Sequence, residues 1–86
     1  MPRISTFYGI FIFMYFSDHA PPHFNAIYGE HEAVIDIATA RLIDGTLPRR
    51  GTSLVHRWCR MHQAELMENW RLARLGQPLR NIAPLD

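Results

Sequence analysis

The second half of the chain contains a long stretch with no helix-breaking residue, and this stretch constrains the fold more than any other feature. Neither proline nor glycine occurs over residues 52–75. Thr52 or Ser53 can cap the start of a helix, because a hydroxyl accepts hydrogen bonds from the free backbone N–H groups there. Gly76 and Pro78 mark its end, since glycine adopts the left-handed stop conformation and proline forbids continuation. The sequence therefore predicts one long helix over this stretch.

The predicted helix has an apolar face and a basic face. At 3.6 residues per turn, a mostly apolar stripe runs along one side. It consists of Val55, Cys59, His62, Leu66, Trp70 and Ala73. Four arginines, here named the arginine ridge, fall on the opposite side: Arg57, Arg60, Arg71 and Arg74. We expect the apolar stripe to pack across a sheet, which leaves the arginine ridge to solvent, to a protein partner or to a phosphate backbone.

The first half of the chain carries strand and turn signals. Residues 7–16 are rich in aromatic and β-branched side chains, and shorter runs of this kind follow at residues 23–28, 32–37 and 41–43. Gly29 separates two of these runs. Short connections of this type join antiparallel neighbours in a sheet.

The length of 86 residues allows only one hydrophobic core. We therefore predict a single α+β domain over residues 1–86, in which a three- or four-stranded antiparallel meander within about residues 5–47 packs against one long C-terminal helix. Residues 76–86 are predicted to form an extended tail. A domain this small buries only about two-thirds of its unfolded surface, so we also expect it to rely on a partner or on a second copy of itself.

The first predicted strand is apolar on both faces. One face carries Phe11, Phe13 and Tyr15, where a two-layer domain should present polar side chains to water. Exposed together, the three aromatic rings would form an apolar patch that monomers seldom leave without a use. We therefore predict that Phe11, Phe13 and Tyr15 bind a partner subunit or protein. The alternative is that the C-terminal tail covers them.

Charge and cysteine usage exclude several classes of protein. The formal net charge is +1, so no strong global field attracts nucleic acid. The single cysteine, Cys59, excludes an internal disulfide and a multi-cysteine zinc site. The apolar run over residues 7–16 is too short to cross a bilayer as a helix, and no cleavable signal pattern precedes it. These features predict a cytoplasmic protein that does not bind membranes.

Several segments resemble a known family. The chain opens with Met-Pro-x-Ile-Ser-x-Phe-Tyr-Gly-Ile and continues with Met-Tyr-Phe-x-Asp-His-x-Pro-Pro-His-Phe, Glu-Ala-Val-Ile-Asp-Ile, Leu-Pro-Arg-Arg and Glu-Asn-Trp. In this order, the segments resemble the small bacterial domain-of-unknown-function family 4160. The resemblance implies a βββ(β)α protein, often encoded beside another small strand-rich protein in pairs that look like toxin–antitoxin modules. The chain departs from the family pattern at Asn25, where the loop usually continues with histidine, and at Phe13, where many relatives carry a polar residue.

The loop that contains Pro21 and Pro22 is the strongest candidate for chemistry. His19 and His23 could share general acid and base roles, because histidine titrates near neutral pH, and Asp18 could orient one of them. Arg49 and Arg50 could stabilise a pentacoordinate phosphate if the fold brings them close. The alternative is that the two histidines bond to the backbone of a rigid proline turn and hold the register of the sheet.

Metal binding is a weaker interpretation of the same region. His19, His23, His31 and Glu30 are acceptable ligands for zinc. However, the two prolines prevent the helix that would place His19 and His23 on one face, and no third loop histidine is present at Asn25. We therefore predict neither a metal nor a cofactor.

These features predict a small cytoplasmic interaction protein of a two-gene, toxin–antitoxin-like module, acting through protein–protein binding. Its partner would be a second copy of the chain or the product of a neighbouring gene. Two alternatives remain open. One is a metal-independent ribonuclease or phosphodiesterase that uses the histidine loop, and the other is a nucleic-acid-binding regulator that uses the arginine ridge.

Overall fold

The computed structural model describes residues 2–86, which form one antiparallel sheet of five strands and two helices. The strands are β1 (Arg3–Phe7), β2 (Ile10–Phe13), β3 (His23–Tyr28), β4 (His31–Asp36) and β5 (Leu42–Gly45), and the helices are α1 (Arg49–Met61) and α2 (Gln63–Arg74). The strands lie side by side in chain order, so the sheet is a meander. The predicted α+β class is confirmed, whereas the strand count and the single long helix need correction.

The apolar run over residues 7–16 is not one strand. The start of the run forms a hairpin turn at Tyr8 and Gly9, across which β1 pairs with β2. The turn residues have φ angles of 51° and 79°. Positive φ at both central residues is the geometry of a tight hairpin turn, because its twist matches that of the flanking strands. Tyrosine is uncommon in this conformation, so the turn lies hidden in an aromatic run and the sheet gains a strand that the sequence did not predict.

The predicted helix over residues 52–75 is two helices that meet at His62. The backbone at His62 leaves the helical region, with φ −127° and ψ 26°. Directly after it, the side-chain amide of Gln63 donates hydrogen bonds to the carbonyl oxygens of Ile37 and Ala38, at 3.0 and 3.2 Å. These bonds tie the start of α2 to the end of β4. The break therefore lies next to a contact with the sheet, and no proline or glycine marks it in the sequence.

The first helix also begins earlier than predicted, at Arg49 directly after Pro48. Proline is tolerated here because the first backbone N–H groups of a helix have no partner within it. The Thr52 hydroxyl does not cap the helix. It donates instead to the carbonyl oxygens of Leu47 and Pro48, both at 3.3 Å.

The core lies between one face of the sheet and the helices, with Trp58 of α1 at its centre. The Trp58 side chain is fully buried, and the centroids of the Phe7 and Phe24 rings lie 5.2 and 5.6 Å from the centroid of its own ring. Its indole N–H donates to the Ala83 carbonyl oxygen at 2.8 Å, so the C-terminal tail closes one side of the core.

The tail runs beside β1. The backbone N–H of Ile82 donates to the Ile4 carbonyl oxygen at 2.8 Å, and the side chains of Ile82 and Leu85 are buried. Neither helix of the described chain combines the length and the apolar character needed to cross a membrane.

Candidate functional site

The proline loop is organised around one carboxylate. Asp18 lies between two histidines: its Oδ2 is 2.9 Å from Nε2 of His23, and its Oδ1 is 3.0 Å from Nδ1 of His19. The backbone N–H of His19 also donates to Asp18 Oδ1, at 2.9 Å. The structure therefore brings together the three loop residues that the sequence singled out for acid–base chemistry.

The two ring nitrogens of His23 both face hydrogen-bond acceptors. Nδ1 lies 2.6 Å from the carbonyl oxygen of Pro21, and Nε2 faces the Asp18 carboxylate. Both ring nitrogens are therefore engaged in contacts within the protein. The ring is nearly buried and packs on Trp70, with the ring centroids 5.1 Å apart. His23 thus links the loop, β3 and α2, and neither of its ring nitrogens is free to contact a ligand.

The Asp18 carboxyl is held in its ionised form. Burial raises the pKa of this carboxyl, but the hydrogen bonds from the His19 backbone N–H and the His23 ring, together with the charges of both histidines, lower the pKa below its ordinary value. His19 differs from His23, because its side chain is 89% exposed. Only His19 of the pair is accessible to a ligand, so the arrangement does not support a mechanism in which the two histidines exchange acid and base roles.

The loop forms one wall of a pocket of about 260 Å³ on the face of the sheet opposite the helices. Sheet residues complete the lining: Asn25, Val34, Ile43 and Asp44. Asn25 is buried, and its amide donates to the Glu32 carboxylate at 3.4 Å. The sequence analysis missed Ile43 and Asp44 as pocket residues. The sequence signal that could have identified them is the alternation of outward-facing residues along β4 and β5. Val34 and Asp44 are register partners, so their side chains lie on the same face of the sheet.

The structure does not bring Arg49 and Arg50 to this pocket. Arg49 lies against Arg41 and Leu42 at one side of α1, whereas Arg50 lies beside Tyr28 at another. The charge-stabilising partners of the hypothetical phosphodiesterase are therefore separate from its histidines.

The four candidate metal ligands lie in two different pockets. His31 and Glu30 line the pocket beside Arg50, and His19 and His23 line the loop pocket. Over residues 2–86, no three histidine, cysteine, aspartate or glutamate side chains gather as a possible metal site.

The face of the sheet opposite the helices, here named the outer face, is apolar and partly exposed. Phe11 of β2 is 36% exposed and Phe13 of the same strand is half-buried, while Ile43 of the edge strand β5 is 49% exposed. Tyr15 lies beyond the end of β2 and contributes to the loop pocket on the same face. The guanidinium of Arg3 lies 5.5 Å from the centroid of the Phe11 ring, a cation–π distance.

The C-terminal tail does not cover the outer face. Its hydrogen bonds go to Ile4 at the edge of the sheet, to Trp58 in the core and to Asn69 of α2. The three aromatic residues that the sequence selected for partner binding therefore share an accessible surface.

The arginine ridge is divided between the two helices. Arg57 and Arg60 are exposed on α1, and Arg71 and Arg74 are exposed on α2, beyond the break at His62. Arg71 makes two hydrogen bonds to the Glu68 carboxylate, at 2.9 and 2.7 Å. The ridge is thus divided in two, and one of its four arginines is paired with a carboxylate.

The remaining candidate side chains have structural partners. His62 Nδ1 pairs with the Glu65 carboxylate at 2.6 Å, and His56 Nδ1 faces the Ala40 carbonyl oxygen at 3.0 Å. Cys59 is fully buried; burial and the charge of Asp36 raise the pKa of its thiol to about 11, so it is not a nucleophile at neutral pH.

Comparisons with known proteins agree with the motif-based assignment. No curated protein and no solved structure matches the chain. Residues 9–71 match the family model described as Domain of unknown function (DUF4160), a range that contains the proline loop, the outer-face strands β2–β5, α1 and most of α2. Because this match covers well over half of its length, the chain belongs to the family Domain of unknown function (DUF4160).

Proposed function

We propose that this protein is an interaction protein that binds another protein through the outer face of its sheet. One observation carries the proposal: the helices pack on one face only, and the other face exposes aromatic and aliphatic side chains and contains a small pocket. Large apolar groups exposed on one face of a sheet are typical of binding surfaces, because burying them on a partner removes unfavourable contact with water.

The charges around this face favour a basic partner. Glu32 and Asp44 lie on it as the register partners of Ile27 and Val34, whereas Arg3 is the basic residue beside Phe11. A symmetric pair of outer faces would bring the carboxylates of one copy towards those of the other, which is unfavourable. A different protein, with an apolar surface bordered by lysine or arginine, complements the face better than a second copy does.

The family resemblance supports one choice of partner. Members are often encoded beside another small strand-rich protein, in pairs that look like toxin–antitoxin modules. The proposed partner is therefore the product of the neighbouring gene, and the complex would form in the cytoplasm. The favoured role is recognition and not catalysis, since the loop histidine His23 is fully engaged in hydrogen bonds and Arg49 and Arg50 lie elsewhere.

The test is a binding measurement between the purified chain and its neighbouring gene product, by light scattering and titration calorimetry. Phe11→Glu and Phe13→Glu should each weaken the complex by about 30-fold or more, the effect of losing an interface hot spot of about 2 kcal/mol. Leu75→Glu is the matched control, because Leu75 is 60% exposed and lies at the end of α2, away from the outer face. It should bind as the unaltered chain does.

Two results would contradict the proposal. One is a chain that stays monomeric and does not bind its neighbour. The other is a complex that tolerates both phenylalanine substitutions. A homodimer that Phe13→Glu dissociates would retain the outer face as an interface but replace the basic partner with a second copy.

A further inference from the structure

The exposed side of α2, here named the α2 face, is a second surface with large apolar side chains. Met67 of α2 is 42% exposed, and Leu75, which directly follows the helix, is 60% exposed. Arg71 lies four positions after Met67 and four positions before Leu75, so all three side chains project from the same side of the helix. Together with Arg74, they border one shallow depression along α2. The α2 face is therefore an apolar stripe with arginines beside it.

The charges of the α2 face are mainly positive. Arg71 and Arg74 lie on it, and Glu68 is its carboxylate. The hydrogen bond from Arg71 lowers the pKa of the Glu68 carboxyl, and so do the charges of Arg71 and of Arg80 in the C-terminal tail. Glu68 thus balances one of three arginines. Within residues 2–86, the ion pairs include neither Arg74 nor Arg80, so this side of the molecule keeps a net positive charge.

The outer face of the sheet is complementary to the α2 face in charge. Glu32 and Asp44 are exposed on the outer face, and Phe11 and Ile43 supply exposed apolar side chains. Two outer faces repel each other through these carboxylates, but a second copy can present its α2 face instead. That arrangement brings arginines towards carboxylates and apolar side chains towards apolar side chains.

The dimensions of the two surfaces agree. The 12 residues of α2 give a helix about 18 Å long. The strands β3 and β4, with six residues each, are about 20 Å long. Helices already cover the inner face of the sheet, and a helix on the outer face would add a layer of the same kind. The α2 helix of a second copy therefore has the length needed to cover the middle of the outer face.

We propose that the α2 face of one copy binds the outer face of a second copy in a head-to-tail contact. The inference rests on the part of the proposed function that makes the outer face an interaction surface. Such a contact is not symmetric, so a pair leaves one outer face and one α2 face unoccupied, to which further copies add. The contact is weaker than the one with the neighbouring gene product, because Met67 and Leu75 provide a small apolar area. The neighbouring gene product therefore competes with it for the outer face.

The first experiment measures the mass of the full chain by sedimentation equilibrium, over concentrations from about 10 µM to about 1 mM, the range of weak protein contacts. The mass of the unaltered chain should rise with concentration. Phe11→Glu on the outer face and Leu75→Glu on the α2 face should each weaken self-association by at least about 10-fold. Met61→Glu is the matched control: Met61 is 61% exposed at the end of α1, outside both surfaces, so this variant should self-associate as the unaltered chain does.

The second experiment mixes the two interface variants. Phe11→Glu retains an intact α2 face and Leu75→Glu retains an intact outer face, so together they can form one head-to-tail contact. An equimolar mixture should give a dimer with one copy of each variant, at an affinity within about 3-fold of the unaltered contact, and assembly should stop there. A variant that failed to fold would not restore association, so the mixture also controls for folding.

The head-to-tail contact is overturned if the unaltered chain stays monomeric at the highest concentration, or if the mixture of the two variants stays monomeric. It is also overturned if either substitution alone leaves self-association unchanged, because a symmetric contact uses only one of the two surfaces. None of these results affects the proposed function while the neighbouring gene product still binds the outer face. Conversely, if the two variants complement each other and the neighbouring gene product does not bind, the proposed function is wrong and the head-to-tail contact stands.

Discussion

Asn69 illustrates how one buried polar residue can fix a segment that has no secondary structure. Its side chain is 1% exposed, its amide N–H donates to the Arg80 carbonyl oxygen at 2.8 Å, and its Oδ1 accepts from the Arg80 backbone N–H at 2.9 Å. The amide thereby imitates a strand partner and satisfies both backbone groups of Arg80. A buried amide without these partners would be costly, so Asn69 and the tail depend on one another.

The pairing of Asp18 with His23 makes a specific prediction for the dependence of stability on pH. The pKa of the Asp18 carboxyl is lower in the folded chain than its ordinary value of 3.8, so its ionised form is bound more favourably in the folded state. This stabilisation is fully present above the ordinary carboxyl pKa and is lost as the pH falls through the lower folded pKa. We expect Asp18→Asn to reduce the free energy of unfolding by about 1–3 kcal/mol at neutral pH, because the buried His23 ring loses its carboxylate acceptor.

Urea unfolding between neutral pH and about pH 3 would measure this difference, which should shrink as the medium becomes acidic. Asp44→Asn is the control, since Asp44 is exposed in the same pocket and forms no ion pair with either loop histidine. A difference between the unaltered chain and Asp18→Asn that stays constant down to the acid limit would contradict the assigned role of the carboxylate.

At the scale of secondary structure, the contact between α1 and β3 depends on a glycine. A Cβ added at Gly51 would lie 2.7 Å from Cδ2 of the Tyr28 ring, which is closer than side chains approach one another. In an ordinary helix, replacing glycine with alanine stabilises by about 1 kcal/mol. Here we expect Gly51→Ala to lower the free energy of unfolding by about 1–3 kcal/mol, because the ring must move out of its packed position.

The companion variant Tyr28→Ala distinguishes this contact from a general effect of the helix. In that background the space above Gly51 is open, so adding Gly51→Ala should stabilise the chain by the usual helix gain of about 1 kcal/mol. Urea unfolding of the four chains forms a double-mutant cycle. If Gly51→Ala destabilises equally with and without the Tyr28 ring, the contact with that ring is not the reason for the glycine.

Much of the element order was predictable because hydrophobic periodicity reports burial directly. The run at residues 23–28 became β3 over the same residues, and the apolar helical stripe placed Trp70 in the core. The missed features leave no mark in the local hydrophobic pattern. The turn at Tyr8 and Gly9 interrupts an aromatic run that has no break in its apolar pattern, and the break at His62 depends on side-chain bonds to the end of β4.

The candidate sites were predictable in part, for the same reason. Asp18, His19 and His23 are close in sequence, so their proximity follows from the short loop itself. Whether Arg49 would join them depended on which side of the sheet α1 occupies, and local sequence carries no information about that choice.

At the scale of the whole molecule, the two faces of the sheet differ in burial. The inner face, α1 and α2 form the core, whereas the outer face is partly exposed. A sheet covered on one side is stabilised by only one layer of apolar contacts. A small domain of this type therefore gains stability when further side chains are buried at the edges of that layer. The C-terminal tail closes the margin at β1, where Ile82 bonds to Ile4 and Ala83 accepts the indole N–H of Trp58.

This role of the tail predicts that its buried side chains contribute as core residues do. Ile82 is 4% exposed and Leu85 is 7% exposed, so Ile82→Ala and Leu85→Ala should each lower the free energy of unfolding by about 2–4 kcal/mol through lost burial and an unfilled cavity. Asn81→Ala, at an exposed position of the same segment, should change it by less than about 0.5 kcal/mol. Urea unfolding followed by tryptophan fluorescence would measure all three, since Trp58 lies against the tail. If Ile82→Ala and Asn81→Ala were equally stable, the buried side chains of the tail would not contribute to the stability of the core.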